Sequence, residues 1–564
     1  MCGIWVYMIK KGCQSTLTDG EIYSSFMRFR HRGPDKSILL YLAQYGLYIG
    51  FHRLSIMDTS SAGDQPFVLE CPQENKVIYL VCNGEIFNYV DLCQKYGIVC
   101  KSRSDCEVII YLYKLLGIDR MIKELRGEFS FCIAEIDKTT CDVKLIVGRD
   151  QAGTRMLDIT GNSNEIIISS ELKGDPFLHR NYVVEQFKPR HYAIISNTAD
   201  DLSNIKYECW LDFKTILPTI FDYEEAKRRI RKTLIETITS STMGDREFCC
   251  LVSGGVDSSL VASILAEYCA YYNVVLHTFS IGLDSGSTDR PYAEMVAKHI
   301  GSIHHHIIVT EEECLNALDK IPGIIESIDI TSNRASCLQY LIMDWISKNT
   351  DYKIVFCGDG VDEVFLSYKY CHYIESPEVF HNESVRLVED IHMYDGLRAG
   401  MCATACGLEI RFVFLSKEFI SLVFSIDPVL RMPYNQIEKY IFRDAFSETN
   451  YLPMEVLFRS KEALSDGCSK KERSWFVMIG EHVEKLYSNS HYESEKTKYT
   501  HMPIVSKESF HYRKRFEDVF GTCETTQKII PYYWLPRFVP KEFGEITEPS
   551  ARILSVYKTT TDAT

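Results

Sequence analysis

Two stretches of this chain carry residue types whose order could do chemistry. Cys2 directly follows the initiator methionine. If Met1 is removed, the thiol acquires a free α-amino group on its own residue. Such an amine has an ordinary pKa of about 7.7 to 8.0, so part of it is neutral and can accept the thiol proton. With 21 cysteines in 564 residues, a cysteine at position 2 carries weight only when other motifs support it.

The second stretch is Ser253-Gly254-Gly255-Val256-Asp257-Ser258-Ser259, between the apolar run Phe248 to Val252 and the apolar-periodic LVASILAEYC. Small residues between a buried strand and a helix start let backbone N–H groups and hydroxyls approach an anion, as in a pyrophosphate cradle. Asp257 adds a carboxylate able to hold Mg2+ against phosphate oxygens. A helix cap by Ser258 or Ser259 accounts for an isolated S-G-G equally well, whereas the seven-residue string is more specific. No G-K-[ST] follows, so a Walker A loop and γ-phosphoryl transfer are not expected. A further acidic loop, Phe356 to Glu363 (FCGDGVDE), ends another strand candidate, where open α/β sheets bind ligands. Alone it reads as a turn with surface acids; beside a pyrophosphate loop, Asp362 becomes a second metal carboxylate.

The elements that must position these residues differ between the two ends of the chain. Up to about residue 190, short alternating segments such as Leu47 to Ile56, Val77 to Cys82 and Glu165 to Ser169 predict strands, with one helix from about Asp105 to Leu116. The pattern breaks through SNTADDLSN. From Tyr223 an amphipathic helix opens an alternation of strands (Phe248 to Val252, Val274 to Ile281, Ile354 to Cys357) and helices, the signature of an α/β sheet, with a mainly helical region after about 385. The expected division is a domain over 2–190, a linker over 191–222 and a second domain over 223–564.

A net charge of -15 disfavours nucleic acid and anionic membrane surfaces, which need clustered Lys and Arg, and leaves small metabolites or proteins as partners. No apolar run approaches a membrane span and the first segment lacks the marks of a cleavable leader, so the chain reads as cytoplasmic with its cysteines as thiols. Without C-x-x-C pairs, a zinc site is not expected.

Placed in order behind Cys2, the segments Arg30 to Asp35 (RHRGPD), His52 to Ile56 (HRLSI), Asn83 to Asn88 (NGEIFN), Asp105 and Gly148 to Asp150 resemble the glutaminase domain of amidotransferases that use an N-terminal cysteine. SGGVDSS is similar to the pyrophosphate loop of the ATP pyrophosphatases. Together, and with FSIG, DIT followed by RAS, GLE-I-R, SKEALSDG and the C-terminal PSARILSVYK, they resemble the glutamine-hydrolysing asparagine synthetase family over nearly the whole chain. The resemblance implies an α+β N-terminal nucleophile sandwich (αββα), then an α/β doubly wound ATP-pyrophosphatase domain with a helical C-terminal part. It implies an ATP-dependent amido ligase that uses glutamine, aspartate, ATP and Mg2+, as a homodimer. Cys2 would be the nucleophile and Asn83 with Gly84 the oxyanion hole. Glutamine would be held by Arg53, Leu54, Ser55, Ile56, Met57, Asn83, Gly84, Glu85 and Asp105. Leu251, Ser253, Gly254, Gly255, Asp257, Ser258, Ile281, Cys357 and Gly358 would bind ATP and pyrophosphate, with Asp257 and Asp362 holding the metal. Asp359 and Lys461 would be catalytic in the synthetase half.

The chain departs from the family pattern in places. Asp359 stands where GEGSDE has glutamate, Gly400 and Met401 replace an acid and a base in R-A-D-[RK], and Val413 and Ser416 replace proline and aspartate in R-V-P-F-L-D. GRDQAGTRML also differs from GRD-x-x-G-x-R-P-L. If the lost charges contacted substrate, the chain would be a glutamine hydrolase with an impaired synthetase half, or a ligase for a different carboxylate; a non-enzymatic scaffold is the third reading.

Overall fold

The computed structural model describes residues 1–178, 180, 182–460, 462–470, 473–543 and 546–547. Lys461 and the PSARILSVYK stretch lie outside the described residues.

In chain order the first part contains β1 (Gly3–Ile9), β2 (Lys36–Leu42), β3 (Leu47–Arg53), β4 (Phe67–Cys71), β5 (Lys76–Ile86) and β6 (Gly127–Asp137). There follow β7 (Val143–Arg149), β8 (Asp158–Gly161), β9 (Glu165–Ser169), β10 (Val183–Gln186), β11 (His191–Ser196) and β12 (Tyr207–Cys209). They form two six-stranded antiparallel sheets, ordered β10-β8-β9-β1-β3-β2 and β12-β11-β7-β6-β5-β4. Strand β1 shows why a sandwich forms, because every residue in it is buried. Ile4, Val6 and Met8 pack between the sheets with Val77, Val81, Leu145 and Val147. Trp5 and Tyr7, on the opposite face by the two-residue period of a strand, pack with Ile22 and Phe26 of the outer helix Asp19–Met27. The second sheet is covered in the same way by the helix Val108–Leu116, whose Ile109 and Leu112 meet Ile78, Leu80 and Phe131. This is the αββα order of layers. Strands β11 and β12 extend the second sheet inside the stretch expected to be a linker, since the alternation HYAIIS pairs with β7.

The later part contains β13 (Phe248–Leu251), β14 (His277–Leu283), β15 (Ile303–Val309), β16 (Ile354–Phe356) and β17 (Glu409–Arg411). All neighbours are parallel, in the order β15-β14-β13-β16-β17. Strands come at the expected places, although β14 begins at His277 rather than Val274, which is exposed. The helix Tyr223–Ser240 starts where Asp222 accepts the Glu225 N–H and buries Ala226, Ile230 and Leu234. Beyond β16 the chain is mainly helical, from Pro377–Asp390 to Lys507–Phe520. One apolar core runs from this sheet into the sandwich, taking in Met1, Leu54, Ile56, Ala152 and Met156. No helix among the described residues is long and apolar enough to cross a membrane.

Candidate active site

Pairing of β1 with β3 sets Gly3 opposite His52, which brings Cys2 to the level of Arg53 and the turn after it. The Cys2 sulfur accepts the Leu54 N–H at 3.4 Å and faces Leu54 O at 3.5 Å. Burial pushes this thiol up to about 12, with the N-terminal charge working against the shift. Met1 is itself buried; its amine donates to Leu408 O at 3.1 Å and lies 3.8 Å from Glu409 Oε2. Burial pushes that amine down to about 5.

Strand β5 supplies the opposite wall, with Asn83 and Gly84 facing Ser130 and Phe129 of β6. Gly84 has φ +138°, and a Cβ there would stand 1.9 Å from Glu128 O, so the backbone is held where a side chain cannot go. The Asn83 side chain is buried, and neither Oδ1 nor Nδ2 has a hydrogen-bond partner among the described residues. An unmade buried hydrogen bond costs roughly 1–3 kcal/mol, so this open amide is a donor that a ligand could satisfy. Asp105, at the start of the turn Asp105–Glu107, accepts the Ile86 N–H at 2.6 Å. Burial pushes its carboxyl up to about 6. Glu85 is also buried, and burial followed by the nearby Asp105 charge raises its carboxyl well above the usual range.

Arg53 is held by its own loop. Nη1 donates to Ser60 O at 2.7 Å and to Asp64 Oδ1 at 2.6 Å, and Nη2 donates to Met57 O at 3.3 Å and to Asp58 O. The rest of this loop is pinned from two sides: Ser55 N–H donates to Asp35, and Ile56 O accepts the Asp245 N–H from the second half.

In the parallel sheet, chain order reverses between β13 and β16, so the loops after their C-terminal ends open a crevice. Both candidate loops emerge there. A cavity of about 300 Å³ is lined by Leu251, Ser253, Gly255, Asp257, Ser258, Ile281, Cys357, Gly358, Asp359 and Asp362. The helix Val256–Tyr271 begins at the loop with Gly255 at its N-cap, so no side chain caps it, and Ser258 Oγ accepts the Ser253 N–H at 3.1 Å. Its N-terminal amides therefore face the cavity side of the loop without the serine cap that the sequence allowed. Gly254 is the one expected nucleotide residue that does not line the cavity. Its φ is +77° and a Cβ there would stand 2.5 Å from Tyr292 Cβ, so it serves close packing of the loop.

Asp257 Oδ2 and Asp362 Oδ1 converge on Lys439 Nζ, at 2.8 Å and 2.7 Å. A buried ammonium thus stands where one cation balances two carboxylates. That donor set fits Mg2+, which takes one or two carboxylates and completes its shell with water and substrate phosphates. Among the described residues no group of three or more His, Cys, Asp or Glu could hold a metal ion. Asp359 is fixed by Arg398, whose Nη2 lies 2.8 Å from Oδ1 and whose other nitrogens reach Asp395 and Gln339.

The departures from the family pattern lie elsewhere. Gly400 and Met401 are buried on the helix Asp395–Ala405. A Cβ at Gly400 would stand 3.7 Å from Met1 Cε and 3.9 Å from Met156 Cε, and Met401 sulfur is 3.8 Å from Arg32 Nη1. They fill the seam between the halves. Val413 is buried in the short turn Val413–Leu415, and Ser416 caps the helix Lys417–Ser425 by accepting the Phe419 N–H, a task aspartate also performs. None of the four lines the nucleotide-side cavity. The GRDQAGTRML stretch is part of the same seam: Gln151 Nε2 donates to Leu415 O at 2.8 Å, and Arg155 pairs with Glu128 at 2.9 Å and reaches Ile410 O at 3.1 Å.

Three residues were not singled out by the sequence. Lys439 sits in NQIEKY, which has no chemical signature, and enters the site through the fold. Arg398 was visible as the retained arginine of RAGM. Asp64 differs from its acidic neighbours only in lying 11 residues after Arg53 across a turn.

Comparison with known proteins gives two family matches. The family described as asparagine synthase matches residues 229–379 and 373–528, and the glutamine amidotransferase domain matches residues 1–196. The glutamine-hydrolysing asparagine synthetase of Gallus gallus is 35% identical over 578 residues, covering 99% of this chain and 99% of its own length. This chain belongs to the glutamine-hydrolysing asparagine synthetase family. The human enzyme of that name is 34% identical over 100% of both chains, and a probable member from Acanthamoeba polyphaga mimivirus is 34% identical over 99% of this chain and 100% of its own. Membership covers both halves, so the seam departures are variations within a chain that matches its relatives over 99–100% of their length.

Proposed function

We propose that this protein is a glutamine-dependent asparagine synthetase, converting L-aspartate, L-glutamine, ATP and water to L-asparagine, L-glutamate, AMP and pyrophosphate in the cytoplasm. The observation that carries the reading is the convergence of the two loops, Ser253 to Ser258 and Cys357 to Asp362, on one cavity, in a chain whose other half presents Cys2 and an unpartnered Asn83 amide.

In the glutaminase half, Cys2 attacks the side-chain amide of glutamine after its thiol proton passes to its own α-amine, which requires removal of Met1. Charge developing on the amide oxygen meets Asn83 Nδ2–H and the Gly84 N–H. Arg53 holds the α-carboxylate and Asp105 the ammonium group. The α-ammonium returns that proton to the departing nitrogen as the C–N bond breaks, water then hydrolyses the thioester to glutamate, and the ammonia passes along the seam between the halves to the second site, because in bulk water near neutral pH it would take up a proton.

In the synthetase half, the β-carboxylate of aspartate attacks the α-phosphorus of ATP, pyrophosphate leaves, and ammonia displaces AMP. Backbone amides of the Ser253–Gly255 loop and the Ser258 hydroxyl hold pyrophosphate oxygens. Asp257 and Asp362 would hold Mg2+, which when bound neutralises charge on the leaving pyrophosphate. Asp359, oriented by Arg398, takes a proton from the attacking ammonia. The family resemblance adds Lys461 at the transferring phosphate. A homodimer belongs to the same proposal. Since Gly400, Met401, Val413 and Ser416 lie away from the nucleotide-side cavity, they give no support to an impaired synthetase or an altered acceptor.

Aspartate-dependent release of pyrophosphate together with AMP tests the synthetase reading, and ADP as product contradicts it. Two further outcomes follow from the glutaminase half. Asn83→Ala is expected to lower kcat for glutamine hydrolysis by about 10²–10³-fold, the usual effect of losing one oxyanion donor, measured as glutamate release. The carboxyl of Asp105 must be ionised to hold an ammonium group, and burial pushes it up to about 6. Below that pH, kcat/KM for glutamine should therefore gain an acid limb from Asp105, falling about tenfold per unit. In Asp105→Asn that contribution disappears from a profile already lowered at every pH.

A further inference from the structure

Resting on the reading of Arg53 as the holder of the glutamine carboxylate, we infer that Asp64 is a built-in competitor for that arginine, which glutamine must displace on binding. A guanidinium has five N–H donors. Four of them are accounted for here: Nη1 serves Ser60 O and Asp64 Oδ1, and Nη2 serves Met57 O and Asp58 O. The fifth, on Nε, lies on the Nη2 side, so a substrate oxygen that bonds Nη1 must take the place of one of its two acceptors. Of the four acceptors, three are backbone carbonyls in the turn that wraps Arg53. The fourth, Asp64, is the one with the chemistry of the substrate group, a carboxylate 2.6 Å from Nη1.

Asp64 also has somewhere to go. Lys36 stands opposite Arg53 in the β2–β3 pairing, and its Nζ lies 3.9 Å from the other Asp64 oxygen. The lysine is more than half exposed and Asp64 one-fifth exposed, whereas Arg53 is 7% exposed. The carboxylate therefore sits at the rim of the pocket between two cations. Moving from the buried cation to the outer one frees an Nη1–H of Arg53 and leaves Asp64 beside Lys36. The backbone supports a tight fit at this point, since a Cβ on Gly63 would stand 2.3 Å from Arg53 Nη2. Displacement makes Asp64 a specificity-determining residue: a ligand without an α-carboxylate cannot exchange for it, and a ligand with one must bind Arg53 more strongly than it does.

The test compares wild type with Asp64→Asn, which keeps an oxygen acceptor for Arg53 and removes the charge. Glutamate release is measured with glutamine, and ammonia release with 4-aminobutanamide, which has the same amide and amine but no carboxylate. A partly exposed ion pair is worth up to about 1 kcal/mol, so KM for glutamine should fall roughly threefold to fivefold in Asp64→Asn. The change in kcat should be smaller, and KM for 4-aminobutanamide should not fall. Arg53→Lys is the control for the underlying reading and should raise KM for glutamine. If Arg53→Lys raises KM but Asp64→Asn leaves it the same or raises it, Asp64 merely props Arg53 and the inference is overturned. A fall in KM for both amides also overturns it, because the effect is then on pocket access. If Arg53→Lys leaves KM for glutamine unchanged, the assignment of Arg53 itself fails, a result distinct from the other two.

Discussion

Cys2→Ala is expected to abolish glutamine-dependent asparagine synthesis while synthesis from added ammonium continues. The loss should be large because the substitution removes the atom that forms the thioester, and deletion of a nucleophile costs about 10⁴-fold or more. The second activity should survive because the Cys2 sulfur is tied to the structure by weak contacts to Leu54 at 3.4 and 3.5 Å, and nothing in the nucleotide-side cavity depends on it. Asparagine formation is measured twice, once with glutamine and once with ammonium chloride at a pH where a useful fraction is ammonia. Loss of both activities together would mean that the thiol holds the seam between the halves, where Gly400 and Met156 meet.

Gly358→Ala is expected to do the reverse, silencing the synthetase half while glutamine hydrolysis continues. A Cβ on Gly358 would stand 2.6 Å from Ser258 N, 3.0 Å from Ser258 Cα and 3.1 Å from Asp257 C. These are backbone atoms of the pyrophosphate loop, which cannot swing aside as a flexible side chain can. The two loops must separate, and the separation displaces Asp257 from Asp362. A misplacement of about 1 Å costs on the order of a hundredfold in rate, and overpacking of this kind costs about 1–3 kcal/mol in stability. Aspartate-dependent pyrophosphate release reads the first effect and thermal unfolding the second. Undiminished pyrophosphate release would show that these loops do not form the adenylation site.

In the glutaminase half the sequence shows the domain, and at particular residues its chemistry and backbone geometry coincide. Gly84 is glycine because Glu128 O leaves no room for a Cβ, and its neighbour Asn83 carries the amide that remains unpartnered among the described residues. The Ser253–Ser259 segment is legible in its local structure, as a strand, a run of small residues and a helix start. Sequence alone does not distinguish a serine-capped helix from an open one; that depends on Gly255 standing at the N-cap, with Ser258 inside the first turn.

Lys439 shows where such reading ends. It lies 182 residues from Asp257 and 77 from Asp362 in the chain, so no local pattern could place it between them. The departures in RAGM and RFVFLS are visible as departures, but their meaning depends on which surface they face. Only the packed structure puts Gly400 against Met1 and gives Ser416 the work of a helix cap. The strands inside the expected linker are hidden for a related reason: SNTADDLSN is a turn between β11 and β12, and its polar composition masks the short strands on either side.

Nitrogen should pass within one chain from glutamine at Cys2 to aspartate at the Ser253–Asp362 cavity. Incubating the purified protein with amide-¹⁵N-glutamine, aspartate and ATP, and following the label by mass spectrometry, tests this transfer. The expected result is ¹⁵N in the side-chain amide of asparagine, formed in equal amount with AMP and pyrophosphate. Label released as ammonium beside glutamate, with no labelled asparagine, would contradict it.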